Sequence, residues 1–408
     1  MLLLYNFGIR IYFILILVAS LFNKKAKKWI KGRVDVKYTK TSQSVWFHFA
    51  SLGEFEQGRP VLEEVRQHFP GKKIVVTFFS PSGYEVRKNT PLADYVYYLP
   101  LDTPANAREF IDTIDPEIAI FTKYEYWYHF FNQLHRRHTP IYMVSALFRP
   151  NQVFFKWYGG VHRHMVSLVK YFFVQDEASV KLLNRLGVHD NVTVTGDTRF
   201  DRVWANASNP KELPLVKTFK NNHHLMVAGS SWPEDEALLA PLVNAYPDWK
   251  FIFAPHEIRE DKIASLIQSL PQERILRFSE IETLKPDLTA CQVLIIDNVG
   301  MLSSLYQYAD IAYIGGGFGV GIHNTQEAIA FGVPVIFGPN YEKFKEARDM
   351  VAQKMGFTIS NEAELQAIFR SLATDDPKRL DAGRRVKEYV KENIGATEKI
   401  MNIINIRA

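Results

Sequence analysis

The sequence predicts an α/β protein built from two doubly wound domains, each a parallel sheet covered by helices. Three observations support this prediction. The chain has 408 residues, which is too long for a single core. Short apolar runs typical of buried parallel strands alternate with helical segments. The polar, proline-containing segment Asn206–Lys217 separates two such series and is the predicted linker.

The predicted elements follow one another in order along the chain. In the first half, a helix over Glu54–Phe69 lies among five strands: Ser44–Ala50, Lys73–Phe79, Ile118–Phe121, Ile141–Val144 and Tyr171–Val174. The second half has five more strands: His224–Ala228, Phe251–Ala254, Val293–Ile296, Ile311–Ile314 and Val333–Phe337. Helical sequence over Lys378–Ile406 ends the chain. We expect an N-terminal domain over 23–208, a C-terminal domain over 209–385 and a C-terminal helix over 386–408. Ligands of such domains bind at the carboxyl ends of the strands, so we expect the two domains to face a common cleft.

The composition excludes several classes of protein. A chain that is 47% hydrophobic and 23% charged is not disordered in bulk. Its one cysteine, Cys291, excludes an intrachain disulfide and a cysteine-rich metal site. A net charge of +5 is too small to predict a nucleic-acid partner. No histidine pair has metal-ligand spacing, so we expect no bound metal and no cofactor.

The amino terminus predicts a membrane anchor. Residues 1–22 are mostly apolar, with Arg10 as the only charged side chain, and six basic residues follow between Lys24 and Arg33. A cleaved signal peptide carries its charge before the apolar stretch, whereas charge after it favours a cytoplasmic body facing anionic headgroups. A single span and a helix lying in the interface both fit the segment. A buried amino-terminal helix is the third interpretation.

A glycine-rich loop is the strongest local signal in the second half. The predicted strand Ile311–Ile314 runs directly into Gly315, Gly316 and Gly317. Glycines allow close backbone approach, and their N–H groups can form a nest for an anion such as a phosphate. A tight turn without a ligand is the alternative.

A short capped helix is predicted after this loop. Asn324 or Thr325 caps it, and it ends at Gly332. A helix amino terminus favours a phosphate, and Glu327 on the first turn can accept hydrogen bonds from a ribose diol. Because the G-x-G-x-x-G spacing is missing, this unit predicts nucleotide-sugar binding rather than dinucleotide binding. In the alternative, Glu327 is only a first-turn charge.

Two carboxylates follow strands of the first half. Glu54 ends the element Ser51-Leu52-Gly53-Glu54 and is a candidate general base, although the spacing alone favours a capping box formed with Ser51. Glu56 is a rival base. Glu125 follows the strand Ile118–Phe121, where a solvated loop is the alternative.

Residues 46–356 resemble, in order, the 3-deoxy-D-manno-octulosonic acid (Kdo) transferases of lipopolysaccharide synthesis, which have the GT-B glycosyltransferase fold. The resemblance rests on these segments: Phe49–Glu54, Glu125–Trp127, Gly196–Asp201, Ala228–Ser231, Pro255-His256, and Leu305–Pro339 with its glycine loop, His323-Asn324 and Glu327. The chain departs from the family pattern at three places. Lys123 stands at an acidic position, Ser145–Leu147 replaces Asn-Ala-Arg, and Ala254-Pro255-His256 replaces Pro-Arg-His, so the arginine before His256 is absent.

The resemblance implies an inverting transfer of Kdo from CMP-Kdo to a lipid A precursor, lipid IVA, at the cytoplasmic side of the inner membrane. It implies that Glu54 is the general base and that Glu125 assists catalysis. It implies a set of donor-binding residues, namely Ser230, Ser231, His256, Gly316, Gly317, Asn324 and Glu327. Arg199 and Lys123 are candidate ligands of the donor carboxylate. No metal or other cofactor is expected.

Two other functions fit the sequence less well. One is another GT-B enzyme that uses a UDP-sugar, or a nucleotide-sugar epimerase of the same fold, since fold alone does not choose a substrate. The other is a membrane-anchored nucleotide-sugar-binding protein without turnover. Retention of Glu54, Glu125 and Glu327 argues against a decayed site.

Overall fold

The computed structural model describes residues 1–34, 36–271 and 274–406. The chain forms two compact units. The N-terminal unit comprises Met1–Asp201 and Ile394–Ala408, and the C-terminal unit comprises Arg202–Asn393. The division therefore lies before the predicted boundary at 208/209, and the end of the chain returns to the N-terminal unit.

The N-terminal unit contains a seven-stranded parallel sheet in the order β3-β2-β1-β4-β5-β6-β7. Its strands are β1 (Ser44–Phe49), β2 (Ile74–Phe78), β3 (Tyr95–Tyr98), β4 (Pro116–Thr122), β5 (Ile141–Ala146), β6 (Tyr171–Val174) and β7 (Val192–Val194). The first nine helices are α1 (Leu2–Ala19), α2 (Lys24–Lys31), α3 (Leu52–His68), α4 (Pro81–Arg87), α5 (Pro104–Ile114), α6 (Tyr128–Arg136), α7 (Gly160–Ser167), α8 (Glu177–Asn184) and α9 (Arg199–Ser208), which crosses the division.

The C-terminal unit contains a second seven-stranded parallel sheet in the order β10-β11-β9-β8-β12-β13-β14. Its strands are β8 (His224–Ser231), β9 (Trp249–Pro255), β10 (Ile275–Arg277), β11 (Val293–Ile295), β12 (Ile311–Ile314), β13 (Val335–Phe337) and β14 (Gly356–Thr358). Its helices are α10 (Pro214–Lys220), α11 (Pro233–Ala245), α12 (Glu260–Ser269), α13 (Ile281–Leu284), α14 (Leu302–Leu305), α15 (Gln326–Ile329), α16 (Lys345–Ala352), α17 (Glu362–Ala373) and α18 (Asp376–Asn393). The last helix, α19 (Ala396–Met401), belongs to the N-terminal unit.

The inner strands are apolar because both faces of each sheet are covered. All six residues of β1 are buried. Trp46 packs with Phe121 in the core on one face, while Phe47 and Phe49 belong to the core on the other. This arrangement is the usual environment of a parallel sheet. The predicted fold class of two doubly wound parallel domains is confirmed, whereas a cleft between them stays a prediction.

The structure also differs from the predicted elements in places. The linker segment Asn206–Lys217 is helical at both ends, since α9 ends at Ser208 and α10 begins at Pro214. In addition, α19 is tied to the N-terminal unit by Asp201, which accepts hydrogen bonds from the N–H groups of Gly395 (2.5 Å) and Thr397 (2.7 Å). These contacts secure the chain where it returns to that unit.

Among the described residues, α1 is the one helix that is long and apolar enough, by length and composition, to cross a membrane. The 18 residues of α1 are soon followed by α2, which carries five of the six basic residues noted above: Lys24, Lys25, Lys27, Lys28 and Lys31.

Candidate active site

Glu54 lies on the first turn of α3, just beyond the carboxyl end of β1. Ser51 occupies the N-cap position with an extended backbone, but its hydroxyl donates to the carboxylate of Glu54. Within the described residues, the Ser51 side chain bonds no backbone N–H of the helix, so the capping box is not formed. Glu54 is half-buried. The serine therefore orients the carboxylate instead of capping α3.

A positive side chain, that of Lys123, lies near this carboxylate. Burial lowers the pKa of Lys123, and nearby Arg199 lowers it further, whereas Glu54 and Asp197 oppose the shift. The backbone of Lys123 is left-handed (φ 68°), an uncommon conformation for a residue with a side chain. Its N–H donates to the carbonyl of Val144 on β5 (3.0 Å), which fixes the turn after β4. The strained turn holds a half-buried cation near Glu54.

Arg199, the second candidate ligand of a donor carboxylate, is engaged within the protein. Its Nη2 donates to Oδ2 of Asp197 (2.6 Å), and its Nε donates to the same oxygen (3.0 Å). Gln57 donates to the other oxygen of Asp197 (3.0 Å). Burial opposes ionisation of Asp197, but the Arg199 charge outweighs it and lowers the pKa of that carboxyl. Lys123 is therefore the better placed of the two candidates.

Glu125 belongs to a chain of hydrogen bonds that the sequence did not predict. Its Oε2 lies 3.0 Å from Nε2 of His48 and accepts from the indole N–H of Trp127 (3.0 Å). The other ring nitrogen of His48 lies 2.8 Å from the hydroxyl of Thr77, which accepts from the indole N–H of Trp46 (2.8 Å). His48 is fully buried in β1. The one signal in the sequence is a histidine within an apolar strand.

The indole N–H of Trp127 also lies 3.2 Å from Nε2 of His48, so His48, Glu125 and Trp127 form one cluster. The hydroxyl of Thr77 has two acceptors within reach, Nδ1 of His48 and the carbonyl of Phe47 (3.4 Å). His48 and Trp127 thus together hold a single oxygen of Glu125.

In the C-terminal unit, the glycine loop after β12 packs directly against backbone. A Cβ atom at Gly315 would lie 2.2 Å from the carbonyl oxygen of Ser230, and one at Gly317 would lie 2.6 Å from the backbone of Gly338. Gly316 has a φ of 90°. These positions require glycine for close approach of backbone to backbone.

Two N–H groups of the loop, predicted to form a nest for a phosphate, donate instead to groups within the protein. The N–H of Gly315 donates to the carbonyl of Gly229 (2.9 Å), and that of Gly316 donates to Oδ2 of Asp235 (2.9 Å). Asp235 is a buried residue on the first turn of α11 and also accepts from the hydroxyl of Tyr313. Its carboxylate takes the place of a bound anion at the Gly316 N–H. Burial raises the pKa of Asp235. Sequence analysis gave Asp235 no such role.

The two serines at the end of β8 are also held within the protein. Ser231 is buried, and its hydroxyl donates to Glu236 (2.9 Å). Ser230 is half-buried and has a left-handed backbone (φ 52°). The hydroxyl of Ser231 is thus already engaged, and phosphate binding by Ser230 stays a prediction.

Three aromatic rings stack beside the glycine loop. The ring centroids of Trp232 and His256 are 4.6 Å apart, and those of His256 and His323 are 4.4 Å apart. The indole N–H of Trp232 donates to Nε2 of His323 (3.0 Å). A Cβ at Gly316 would lie 3.0 Å from the His323 ring, so the stack lies against the glycine loop. The predicted site residue His256 is therefore next to the segment that carries Gly316 and Asn324.

We expect His323 to stay neutral well below pH 6. Burial, together with nearby His256, lowers the pKa of His323 to about 4. Since the folded pKa lies below the usual value of about 6.5, the stability contributed by neutral His323 is present above that value and is lost as the pH falls through about 4. NMR titration of the ring measures this. The Trp232→Phe variant removes the donor to Nε2 and should raise the pKa, whereas a wild-type value near the usual one would contradict the stack.

Glu327 lies on the first turn of α15, as predicted, but the helix is shorter than expected because it ends at Ile329 instead of Gly332. Asn324 Oδ1 accepts from the N–H of Gln326 (3.0 Å). Burial raises the pKa of Glu327, while Arg202 and Asn324 act in the opposite direction. The predicted donor residues thus lie at the carboxyl ends of β8, β9 and β12, the edge where doubly wound domains bind ligands.

The chain was compared with known proteins. A family model for "3-Deoxy-D-manno-octulosonic-acid transferase (kdotransferase)" matches residues 26–202. The 3-deoxy-D-manno-octulosonic acid transferase of Haemophilus influenzae is 28% identical over 377 residues, covering 89% of this chain and 86% of that protein. The one of Chlamydia muridarum is 27% identical over 358 residues, covering 85% and 82%. The predicted resemblance to the Kdo transferase family is confirmed by the family model over residues 26–202 and by these relatives over most of the chain.

Solved structures of other proteins share the fold of this chain. The UDP-GlcNAc 2-epimerase of Neisseria meningitidis, bound to UDP-GlcNAc, has a TM-score of 0.61 at 15% identity, covering 88% of this chain and 98% of that one. A putative UDP-N-acetylglucosamine 2-epimerase of Listeria monocytogenes has a TM-score of 0.59 at 11% identity, covering 88% and 95%. At such identities the likeness shows a GT-B-like fold and nothing about substrates.

Proposed function

We propose that this protein is an inverting glycosyltransferase that moves Kdo from CMP-Kdo to the lipid A precursor lipid IVA in lipopolysaccharide synthesis. The observation that carries the proposal is the placement of Glu54. In a chain whose relatives over most of its length are Kdo transferases, Glu54 is held by Ser51 at the end of β1 beside the half-buried cation of Lys123. The protein acts at the cytoplasmic side of the inner membrane.

Glu54 acts as the general base. Inversion requires that the acceptor hydroxyl lose its proton as it attacks the anomeric carbon, while the phosphate of CMP leaves from the opposite face. The hydroxyl of Ser51 donates to the Glu54 carboxylate and aims it. Lys123 attracts the carboxylate of the Kdo unit, since an ammonium held in a half-buried turn keeps its charge close to an anionic ligand.

Glu125 supports the reaction from a fixed position. The transition state of glycosyl transfer has oxocarbenium character, which a preorganised carboxylate stabilises. In the donor unit, Glu327 and Asn324 bind the ribose of CMP, His256 contacts the nucleotide, and Gly317 allows the phosphate to approach the backbone. The buried carboxylate of Asp235 shapes the loop around Gly316 through its hydrogen bond to the Gly316 N–H and does not itself bind the donor.

A nucleotide titration tests the donor class. The full-length protein should bind CMP and CMP-Kdo, as measured by calorimetry in detergent, and should bind UDP and UDP-GlcNAc at least tenfold more weakly. Glu327→Gln should weaken CMP binding, whereas Glu362→Gln at an exposed position of α17 is the matched control that should leave it unchanged. Binding of UDP in preference to CMP would favour a UDP-sugar enzyme instead.

Loss of His48 should slow the reaction through Glu125. In the His48→Ala variant, Glu125 and Thr77 lose their shared partner, so we expect kcat to fall about tenfold, the rate equivalent of about 1.4 kcal/mol. His48→Gln should recover part of this loss, because its amide N–H can donate to Glu125. Steady-state kinetics with melting curves of both variants measure the effect. Equal kcat values for the two variants would show that His48 only fills the core.

A further inference from the structure

The apolar helix α1 is bonded to the N-terminal unit near its amino terminus. The hydroxyl of Tyr5 donates to Oδ2 of Asp102 (2.5 Å) and accepts from the N–H of Tyr128 (3.2 Å). The next residue, Asn6, makes a second polar contact with this unit, since its Oδ1 lies 2.6 Å from Nε2 of His129. Polar side chains thus join α1, a helix long and apolar enough to cross a membrane, to the rest of the N-terminal unit.

The receiving site is part of the fold of the N-terminal unit. Asp102 is 1% exposed and also accepts from the N–H groups of His129 (3.1 Å) and Phe130 (3.2 Å), on the first turn of α6. The carboxylate therefore orders α6 and binds α1 with the same two oxygens. A buried carboxylate bonded in this way fixes the position of its partner.

A second contact lies about two turns further along α1, roughly 10 Å away at 1.5 Å per residue. Tyr12 stacks on Phe79 with ring centroids 5.9 Å apart and packs edge-on against buried Trp29 of α2 at the same distance. Phe13 also contacts Trp29 (6.5 Å). Two separate attachment points keep the helix axis along the surface of the unit.

The opposite side of α1 is exposed to solvent and, apart from Arg10, apolar. Its exposed side chains include Leu3, Leu4, Phe7, Ile14, Leu15 and Val18. Directly after α1, four exposed lysines of α2 have no ion-pair partner among the described residues: Lys24, Lys25, Lys27 and Lys31. An apolar helix face beside a basic cluster matches the acyl boundary and the anionic headgroups of a bilayer.

We propose that α1 lies in the plane of an anionic membrane surface, docked on the N-terminal unit through Tyr5, Asn6 and Tyr12, and does not cross the bilayer. This inference rests on the proposed membrane association and decides its geometry. A spanning helix would have to leave Asp102 and His129, because the polar surface that carries them cannot enter the hydrocarbon core. Both attachment points would then be lost.

Docking in the plane also brings the bilayer to the candidate active site. Phe79, on which Tyr12 stacks, lies 4.9 Å from the ring of Trp127, and Trp127 donates to Glu125. The helix therefore lies two side chains from a proposed catalytic carboxylate. A lipid acceptor embedded in that surface reaches the site without leaving the membrane.

Labelling of the amino terminus tests the geometry. A cysteine is placed in a short Gly-Ser extension before Met1, in a full-length Cys291→Ser background, and the protein is examined in sealed inner-membrane vesicles whose cytoplasmic face points outward. We expect a membrane-impermeant maleimide to label it equally before and after detergent. Glu282→Cys in the exposed part of α13 is the control for the body of the protein. Protection until detergent is added would overturn the proposal and establish a span.

Vesicle binding separates this inference from the membrane proposal. The purified protein should float with vesicles containing phosphatidylglycerol, and replacement of the four exposed lysines by glutamine should weaken that binding at least tenfold. Equal binding by the lysine variant would contradict the proposal that the basic cluster of α2 binds anionic headgroups. If the wild-type protein does not bind vesicles, the membrane proposal itself fails and the inference falls with it.

Discussion

The Glu54→Gln variant should transfer Kdo about 10²–10⁴-fold more slowly than the wild-type protein, the usual contribution of a positioned general base. Glutamine has nearly the same shape and can still bond the hydroxyl of Ser51, but it cannot accept the acceptor proton. The first turn of α3 should therefore survive the change. The loss should appear in kcat, with the melting temperature close to that of the wild-type protein.

Glu56→Gln is the matched control for this variant, because Glu56 lies on the same helix and was the rival base. Its carboxylate is paired with Arg87 (2.5 Å) and lies 3.8 Å from Arg59. We expect near-normal transfer and a slightly lower melting temperature. A slow Glu56→Gln variant beside a fast Glu54→Gln variant would transfer the role of base to Glu56.

The Gly317→Ala variant should lose CMP binding and melt at a lower temperature. A Cβ atom there would lie 2.6 Å from both the nitrogen and the Cα of Gly338, so one of two backbone segments must shift. Overpacking of this kind costs about 1–3 kcal/mol. The shift would also displace the loop between β12 and α15 that carries the predicted donor residues.

Gly319→Ala in the same loop is the matched control. The nearest atom to its added Cβ is the carbonyl oxygen of Gly316 at 3.7 Å, an ordinary van der Waals distance. We expect stability within about 0.5 kcal/mol of wild type and unchanged CMP affinity. Thermal unfolding and calorimetric titration of both variants measure the difference. If the two variants behave alike, close packing at Gly317 does not shape the donor site.

The sequence predicted the inner strands and missed the edges of both sheets. Each predicted strand is present, whereas β3, β7, β10 and β14 were not predicted. These four are the outermost strands, and most of their residues are only half-buried. An edge strand has one neighbour and less cover, so it lacks the continuous apolar run by which inner parallel strands are recognised.

The candidate site was predictable as a set of positions but not as a set of contacts. The positions of Glu54 and Glu327 follow from local patterns around strand ends. The bonding of the Gly316 amide to Asp235 and of His48 to Glu125 joins residues 81 and 77 apart in the chain. Such contacts depend on which strands lie side by side, and no local pattern reports that.

The same dependence on contacts distant in sequence explains why the geometry of the predicted anchor stayed open. The apolar run and the basic cluster predicted membrane attachment but left a span and an interfacial helix open. The contacts of Tyr5 with Asp102 and of Tyr12 with Phe79 support the proposed interfacial helix, because they join α1 to parts of the fold distant in sequence.

The most direct test of the central claim is transfer of Kdo by the wild-type protein. CMP-Kdo is generated in situ and supplied with lipid IVA in vesicles, and the lipid products are identified by mass spectrometry. We predict a Kdo–lipid product with release of CMP, and no product with UDP-GlcNAc as donor. No Kdo–lipid product from a folded, membrane-bound protein would contradict the account, and product from the UDP-sugar would replace it.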